Sequence, residues 1–395
     1  MKGALSWAYL RLYLLTLLYF SANSILGVII PLKGDSLGAT NTTIGLIMGA
    51  YLATTMLCRP WAGLLIHRYG PIKVLRFILV INGLALIMYS FTGLGGYFAA
   101  RMLQGICTAF FSMALQLGII DSLPDSDRSQ GISMYSLCAS MPGVIGPLLA
   151  VGIWQNGDMQ IFTAAMITIA ILTGGVGYSA RMGPGGTAPA KASETQGMTG
   201  LSMLKTFGQL VTNPHLFKCS VLMLTASLVF GAATTFIPLY AAQVTGGSAA
   251  VYLMLQAGTV VVARFVFRKK VPSDGRWHPG FMLAIMLILA SAAQSVSYAS
   301  TGGAIFFYVG AVLMGTAQAL LYPTLTTYLT FVLTPSTRNV LLGLFIATAD
   351  LGVSLGSMLM GPLADLTSYS VMYTFCAALG LSMTLVAYNR RRSLI

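Results

Sequence analysis

Three arginines and one aspartate fall inside long apolar runs of this 395-residue chain: Arg59, Arg101, Arg264 and Asp350. An ionisable side chain at such depth is costly and is usually paired or functional. Three guanidiniums against one carboxylate leave an excess of positive charge when all are ionised, and in a low-dielectric interior that excess favours an anionic ligand. The planar arginine fork suits bidentate binding of carboxylates. A cavity built for cations would carry the reverse, unpaired acids and few fixed positive charges. The residue types therefore point to a small anionic ligand.

Asp350 admits two readings. As a carboxylate near mid-membrane it is a natural proton carrier, because desolvation raises its affinity for a proton and a nearby arginine lowers it. It is equally suited to a permanent ion pair with Arg264 or Arg59. Gly352 and Gly356, which follow it, form a small-xxx-small face that lets another helix approach. Arg59 and Arg264 occupy matching places in their runs, and either can snorkel to an interface. Tyr51, Gln104, Gln116, Gln256, Gln318, Tyr322 and Thr324 are the remaining polar candidates for a binding site inside the runs.

Hydrophobic residues make up 56% of the chain and charged residues 8%, a composition that excludes an ordinary soluble domain. A helix needs about 20 apolar residues to cross a bilayer. Twelve runs satisfy this, near 12–32, 45–66, 73–92, 97–119, 132–153, 160–180, 217–240, 247–267, 279–300, 303–333, 340–363 and 370–389. The run at 303–333 contains Pro323 and is expected to kink. The first run lacks a small-residue cleavage site and reads as an uncleaved span. With the N-terminus inside, eighteen of the 22 lysines and arginines face the cytosol and only Lys33 faces outward, which sets the orientation by the positive-inside rule. The net charge of +13 is then a matter of topology rather than of nucleic-acid binding. All five cysteines fall inside the runs, the three histidines lack ligand spacing, and no catalytic constellation is visible. The expectation is a non-enzyme with no cofactor and no metal.

Residues 183–200, GPGGTAPAKASETQGMTG, read as a polar linker. The chain repeats itself on either side. Arg59 precedes Gly70 by eleven residues, as Arg264 precedes Gly275; Gly105 precedes Arg128 by 23, as Gly315 precedes Arg338; and Gly146-Pro147-Leu148 recurs as Gly361-Pro362-Leu363. Duplicated halves are a common transporter plan. The expected domains are an N-terminal six-helix half (1–181), a cytosolic linker (182–216) and a C-terminal six-helix half (217–395).

The segment GLLIHRYGPIK from Gly63 to Lys73 resembles the loop signature GxxxD(R/K)xGR(R/K) of the major facilitator superfamily through Gly63, Arg68 and Gly70, with His67 at the Asp position and Pro71 at an Arg position. Arg101, Gln104 and Gly105 match its RxxQG pattern and share one helical face. Residues 142–147, PGVIGP, resemble its antiporter motif gxxxGP, with Pro142 in place of the first glycine. The resemblance implies an all-α fold of twelve transmembrane helices in two pseudo-symmetric halves. It also implies a cytosolic gate of Gly63, Arg68, Gly70, Lys73, Asp121 and Arg128, and a role for Arg101 in substrate contact or proton coupling.

Longer stretches are similar to the family of bacterial staphylopine-type metallophore exporters: GPIKVLR at 70–76, ICTAFFSMALQLGIID at 106–121, PSDGRWHP at 272–279, YPTLTTYLTFVL at 322–333 and LLGLFIATADLG at 341–352. Cargo of that class is a small opine-like amino acid with several carboxylates, which suits the arginine excess. The resemblance implies a proton-coupled exporter working by alternating access. It would be a monomer in the bacterial cytoplasmic membrane, with both termini cytosolic. The expected binding residues are Arg59, Arg101, Arg264, Gln104, Tyr51, Gln256, Gln318 and Tyr322, with Asp350 and Arg101 coupling protons. The alternative is a multidrug or general metabolite antiporter of the same superfamily.

Overall fold

The computed structural model describes residues 6–123, 125–157, 159–180, 208, 212–267, 270–272, 274–334 and 338–388. Thirteen α-helices are described here. They are α1 (Trp7–Ser36), α2 (Asn41–Tyr69), α3 (Pro71–Phe91), α4 (Leu94–Ser122), α5 (Asp125–Ser140), α6 (Pro142–Gln155), α7 (Met159–Ser179), α8 (Pro214–Tyr240), α9 (Ala249–Phe267), α10 (Pro279–Gly302), α11 (Ala304–Val332), α12 (Arg338–Leu366) and α13 (Tyr369–Tyr388). They form twelve segments long and apolar enough to cross a membrane. A lipid-exposed backbone must satisfy its own hydrogen bonds, and helices do so.

The fifth span is two helices, α5 and α6, rather than the single run 132–153. The reason is Pro142, which opens α6 and has no N–H to give back to the preceding turn. The Ser24 hydroxyl of α1 donates to the Pro142 carbonyl at 2.8 Å. Pro323 causes no such interruption, and α11 runs through it from Ala304 to Val332. The polar linker at 183–200 lies outside the described residues, and α8 begins earlier than residue 217. Asn213 caps it, its side chain accepting from the His215 and Leu216 N–H groups at 3.1 Å each.

The chain divides into two compact units, Met1–Ala39 with Leu46–Lys191, and Thr40–Gly45 with Ala192–Ile395. The first unit is built around α1, whose Leu12, Leu15 and Tyr19 are buried against Leu75 and Leu79 of α3 and Phe111 of α4. In the second, α8 and α12 approach closely. A side chain on Gly352 would meet the Leu224 carbonyl, and one on Gly356 the Leu228 carbonyl, which is the small-residue face expected after Asp350. The start of α2 belongs to this unit because the Asn41 and Thr42 N–H groups both donate to the Asp365 carboxylate at 2.8 Å.

The repeat has a backbone counterpart. Gly70, between α2 and α3, has φ +84, and Gly275, between α9 and α10, has φ +71. Both positions need a left-handed conformation that other residues adopt only at a cost. Their equal spacing from Arg59 and Arg264 marks one turn used twice.

Candidate functional site

Arg101 on α4 is 2% exposed. Its Nη1 donates to Asn23 Oδ1 on α1 at 2.6 Å and, more weakly, to Gln104 Oε1 at 3.5 Å; Nη2 reaches the Met48 sulfur at 3.5 Å. The guanidinium lies 5.1 Å from the Tyr51 ring centroid, a cation–π contact that offsets part of its desolvation. Nε is buried and has no hydrogen-bond partner. No carboxylate is among these contacts. The side chain does not snorkel to an interface; it is fixed by neutral groups that orient it, and among the described residues no carboxylate pairs with it.

The neighbours of Arg101 are themselves tightly held. Tyr89 of α3 donates to Gln104 Oε1 at 2.8 Å. The Thr108 hydroxyl is hydrogen-bonded to both Tyr19, at 2.9 Å, and Tyr51, at 3.0 Å, and Tyr19 stacks on Phe111 with centroids 3.7 Å apart. Gly105 makes this possible. A side chain there would strike the Tyr51 carbonyl and the Thr54 hydroxyl, so α2 and α4 touch backbone to backbone, joined by Thr54 and Thr55 donating to the Met102 and Gly105 carbonyls at 3.1 and 2.9 Å. Arg59 is half-buried on α2, within electrostatic reach of Tyr135, which hydrogen-bonds Gln116.

The second unit repeats the plan with other side chains. Gly315 of α11 packs on the Gln256 carbonyl and Thr259 of α9. Gln256 and Thr259 precede Arg264 by the same intervals at which Tyr51 and Thr54 precede Arg59. Where Tyr51 bonds Thr108, three residues after Gly105, Gln256 Nε2 donates at 3.3 Å to Gln318 Oε1, three residues after Gly315. Gln256 is 5% exposed and its own Oε1 has no partner. Arg264 is exposed on the last turn of α9 and interacts electrostatically with Tyr322, which stacks on Phe345 with centroids 6.2 Å apart. Thr324 is buried and donates to the Leu320 carbonyl at 2.6 Å, which spends its hydroxyl on its own helix. Asp350 on α12 is half-buried and engaged rather than free.

A family model for the major facilitator superfamily matches residues 12–295. The chain belongs to the major facilitator superfamily. This superfamily member is 50% identical over 391 residues to the staphylopine export protein of Staphylococcus aureus strain Mu50, covering 99% of this chain and 98% of that one. It is 24% identical over 372 residues to an uncharacterized MFS-type transporter of Burkholderia mallei, covering 91% of this chain and 86% of the other. The nucleoside transporter NupG shares the fold with a TM-score of 0.73 at 13% identity, over 97% of this chain and 98% of its own. A bacterial homolog of the human lysosomal transporter Spinster does so with a TM-score of 0.69 at 16% identity, over 98% of this chain and 95% of its own. The superfamily member is a multi-pass membrane transporter and not an enzyme.

Of the superfamily loop, Arg68 is exposed over the Tyr69 ring at 5.4 Å, Lys73 is exposed, and Gly63 leaves only ordinary contact with Met113 at 3.6 Å. The side chains of His67, Asp121 and Arg128 lie outside the described residues. The matching loop of the second unit holds Asp274 and His278 in contact at 2.9 Å. That hydrogen bond, with the Arg276 N–H, keeps the Asp274 carboxyl below the usual carboxylate range. Sequence reasoning missed Asn23, Met48, Tyr89, Thr108 and Tyr135. A lone asparagine in an apolar run was the available signal, because an amide in hydrocarbon needs a partner.

Proposed function

We propose that this transporter exports a small, carboxylate-bearing opine of the staphylopine class. The observation that carries this reading is the 50% identity with the staphylopine export protein across essentially the full length of both chains. At that identity over 99% of the chain, a shared cargo class is the simplest inheritance. The chemistry of the first unit supports it: a buried guanidinium with no acid beside it and one nitrogen unsatisfied is suited to a carboxylate. A charge-assisted hydrogen bond of this kind contributes about 1.5–3 kcal/mol. In this reading Arg101, Gln104 and Tyr51 hold one carboxylate, Arg59 and Arg264 attract others, and Gln256, Gln318 and Tyr322 meet the remaining polar groups.

Transport is proton-coupled alternating access in the bacterial cytoplasmic membrane, by a monomer with both termini cytosolic. The distribution of lysine and arginine supports that orientation. Asp350, together with Arg101, exchanges the proton, and Gly63, Arg68, Gly70, Lys73, Asp121 and Arg128 form the cytosolic gate. Uptake of labelled staphylopine into inverted vesicles, driven by an imposed pH gradient, tests the reading. Uptake that a protonophore abolishes is the expected result. Absent opine uptake, with resistance to lipophilic cations conferred instead, identifies the multidrug antiporter alternative. Unchanged gradient-driven uptake in Asp350→Asn would remove Asp350 from the coupling.

A further inference from the structure

Within the first unit, α3 and α7 leave a groove of about 310 Å³ between their outward faces. Its walls are apolar, formed by Leu84, Ile87, Ile167 and Ile171. Gly83 and Gly174 also line it. A side chain built on Gly174 would meet nothing within 4 Å, and one on Gly83 would meet only the Ala170 methyl at 3.8 Å. Among the described residues no protein group fills this space.

One end of the groove is cationic. Arg76 Nη2 donates to the Tyr178 carbonyl at 3.0 Å, and the guanidinium sits 4.7 Å from the Tyr178 ring centroid. Its Nε is buried and has no hydrogen-bond partner among the described residues. Among the described residues no carboxylate pairs with Arg76. Lys73, one turn earlier on α3, is exposed. A helix-capping arginine alone would need no apolar trough beside it, and a plain lipid-facing groove would need no cation with a spare buried donor.

We propose that this groove is a binding site for an anionic phospholipid, with one acyl chain along Gly83 and Gly174 and the phosphate on Arg76 and Lys73. Charge complementarity selects the headgroup: a zwitterionic lipid would bring its own cation towards two fixed ones, whereas an anionic lipid would not. Basic pockets between transmembrane helices are known to take such headgroups. The site shares Lys73 with the proposed gate but does not depend on the identity of the cargo.

Native mass spectrometry of the purified full chain tests it, with dioleoyl phosphatidylglycerol and dioleoyl phosphatidylcholine as probes of equal tail length. Wild type is expected to retain phosphatidylglycerol in preference. Arg76→Gln, which is polar but carries no charge, should weaken that lipid about fivefold and so narrow its preference over phosphatidylcholine. Gly174→Leu, whose Cβ enters open space, places a side chain in the groove and should weaken both lipids. Equal retention of the two lipids by wild type, an undiminished preference in Arg76→Gln, or undiminished binding of both lipids by Gly174→Leu would each overturn the proposal.

Discussion

Arg101 donates to Asn23 Oδ1 across 2.6 Å, and the acceptor is an amide rather than an acid. The distance is that of a strong charge-assisted hydrogen bond. Such a bond fixes where the guanidinium points but does not neutralise it. Replacing Asn23 by a carboxylate would give a closed ion pair, with nothing left over for a ligand. The amide keeps the arginine both ordered and electrostatically available, and Tyr51 and Gln104 complete a shell that shares this property.

Gly105 and Gly315 should tolerate no side chain. Each faces a carbonyl of the adjacent helix, so Gly105→Val and Gly315→Val force helices apart that now touch. Overpacking of this sort costs about 1–3 kcal/mol. The check is the melting temperature of the purified protein, which should fall in both variants. Gly174→Ala, which enters open space, should hold or raise it.

The two left-handed glycines should differ in sensitivity. Gly70→Ala meets no neighbour within 4 Å and suffers only the backbone penalty, about 1–2 kcal/mol. Gly275→Ala adds a clash with the Phe331 Cβ at 2.9 Å. Thermal melts of the two variants should therefore place Gly275→Ala below Gly70→Ala.

Gln256→Leu separates packing from function. It removes a buried Oε1 that has no partner, so the melting temperature should be unchanged or higher. Opine affinity should nevertheless fall, because Gln318 loses the group that orients it. A loss of stability matching the loss of affinity would assign Gln256 to packing alone.

The Asp274–His278 contact gives a pH dependence of known sign. The Asp274 carboxyl is depressed by its hydrogen bonds. Its contribution is thus complete above the ordinary aspartate value of about 3.9 and is lost as pH falls through the depressed one. Hydrogen exchange across residues 270–278 should show Asp274→Asn less protected than wild type at pH 6, with the two converging in strong acid.

Much of this molecule was legible in the residues alone. The runs of apolar residues gave twelve spans because length and composition dictate them, and equal spacings around Arg59 and Arg264 exposed the duplication before any turn was seen. The shared face of Arg101, Gln104 and Gly105 followed from helical geometry. Other features depend on contacts between residues far apart in sequence, which periodicity does not encode. Asn23 lies 78 positions from Arg101, and the exchange of Tyr51–Thr108 for Gln256–Gln318 changes every side chain while conserving the place. The break at Met141 was hidden because the prolines of α2, α8 and α11 interrupt nothing, so proline by itself did not discriminate.

The uncompensated charge of Arg101 is best tested by the affinity of staphylopine for Asn23→Asp, measured by calorimetry on the purified transporter at pH 7. The introduced carboxylate would pair with Arg101 while the arginine, the fold and the rest of the site stay in place. Affinity at least about tenfold below wild type, with an unchanged melting temperature, is the predicted result. Wild-type affinity in Asn23→Asp would show that the cargo does not use the charge of Arg101.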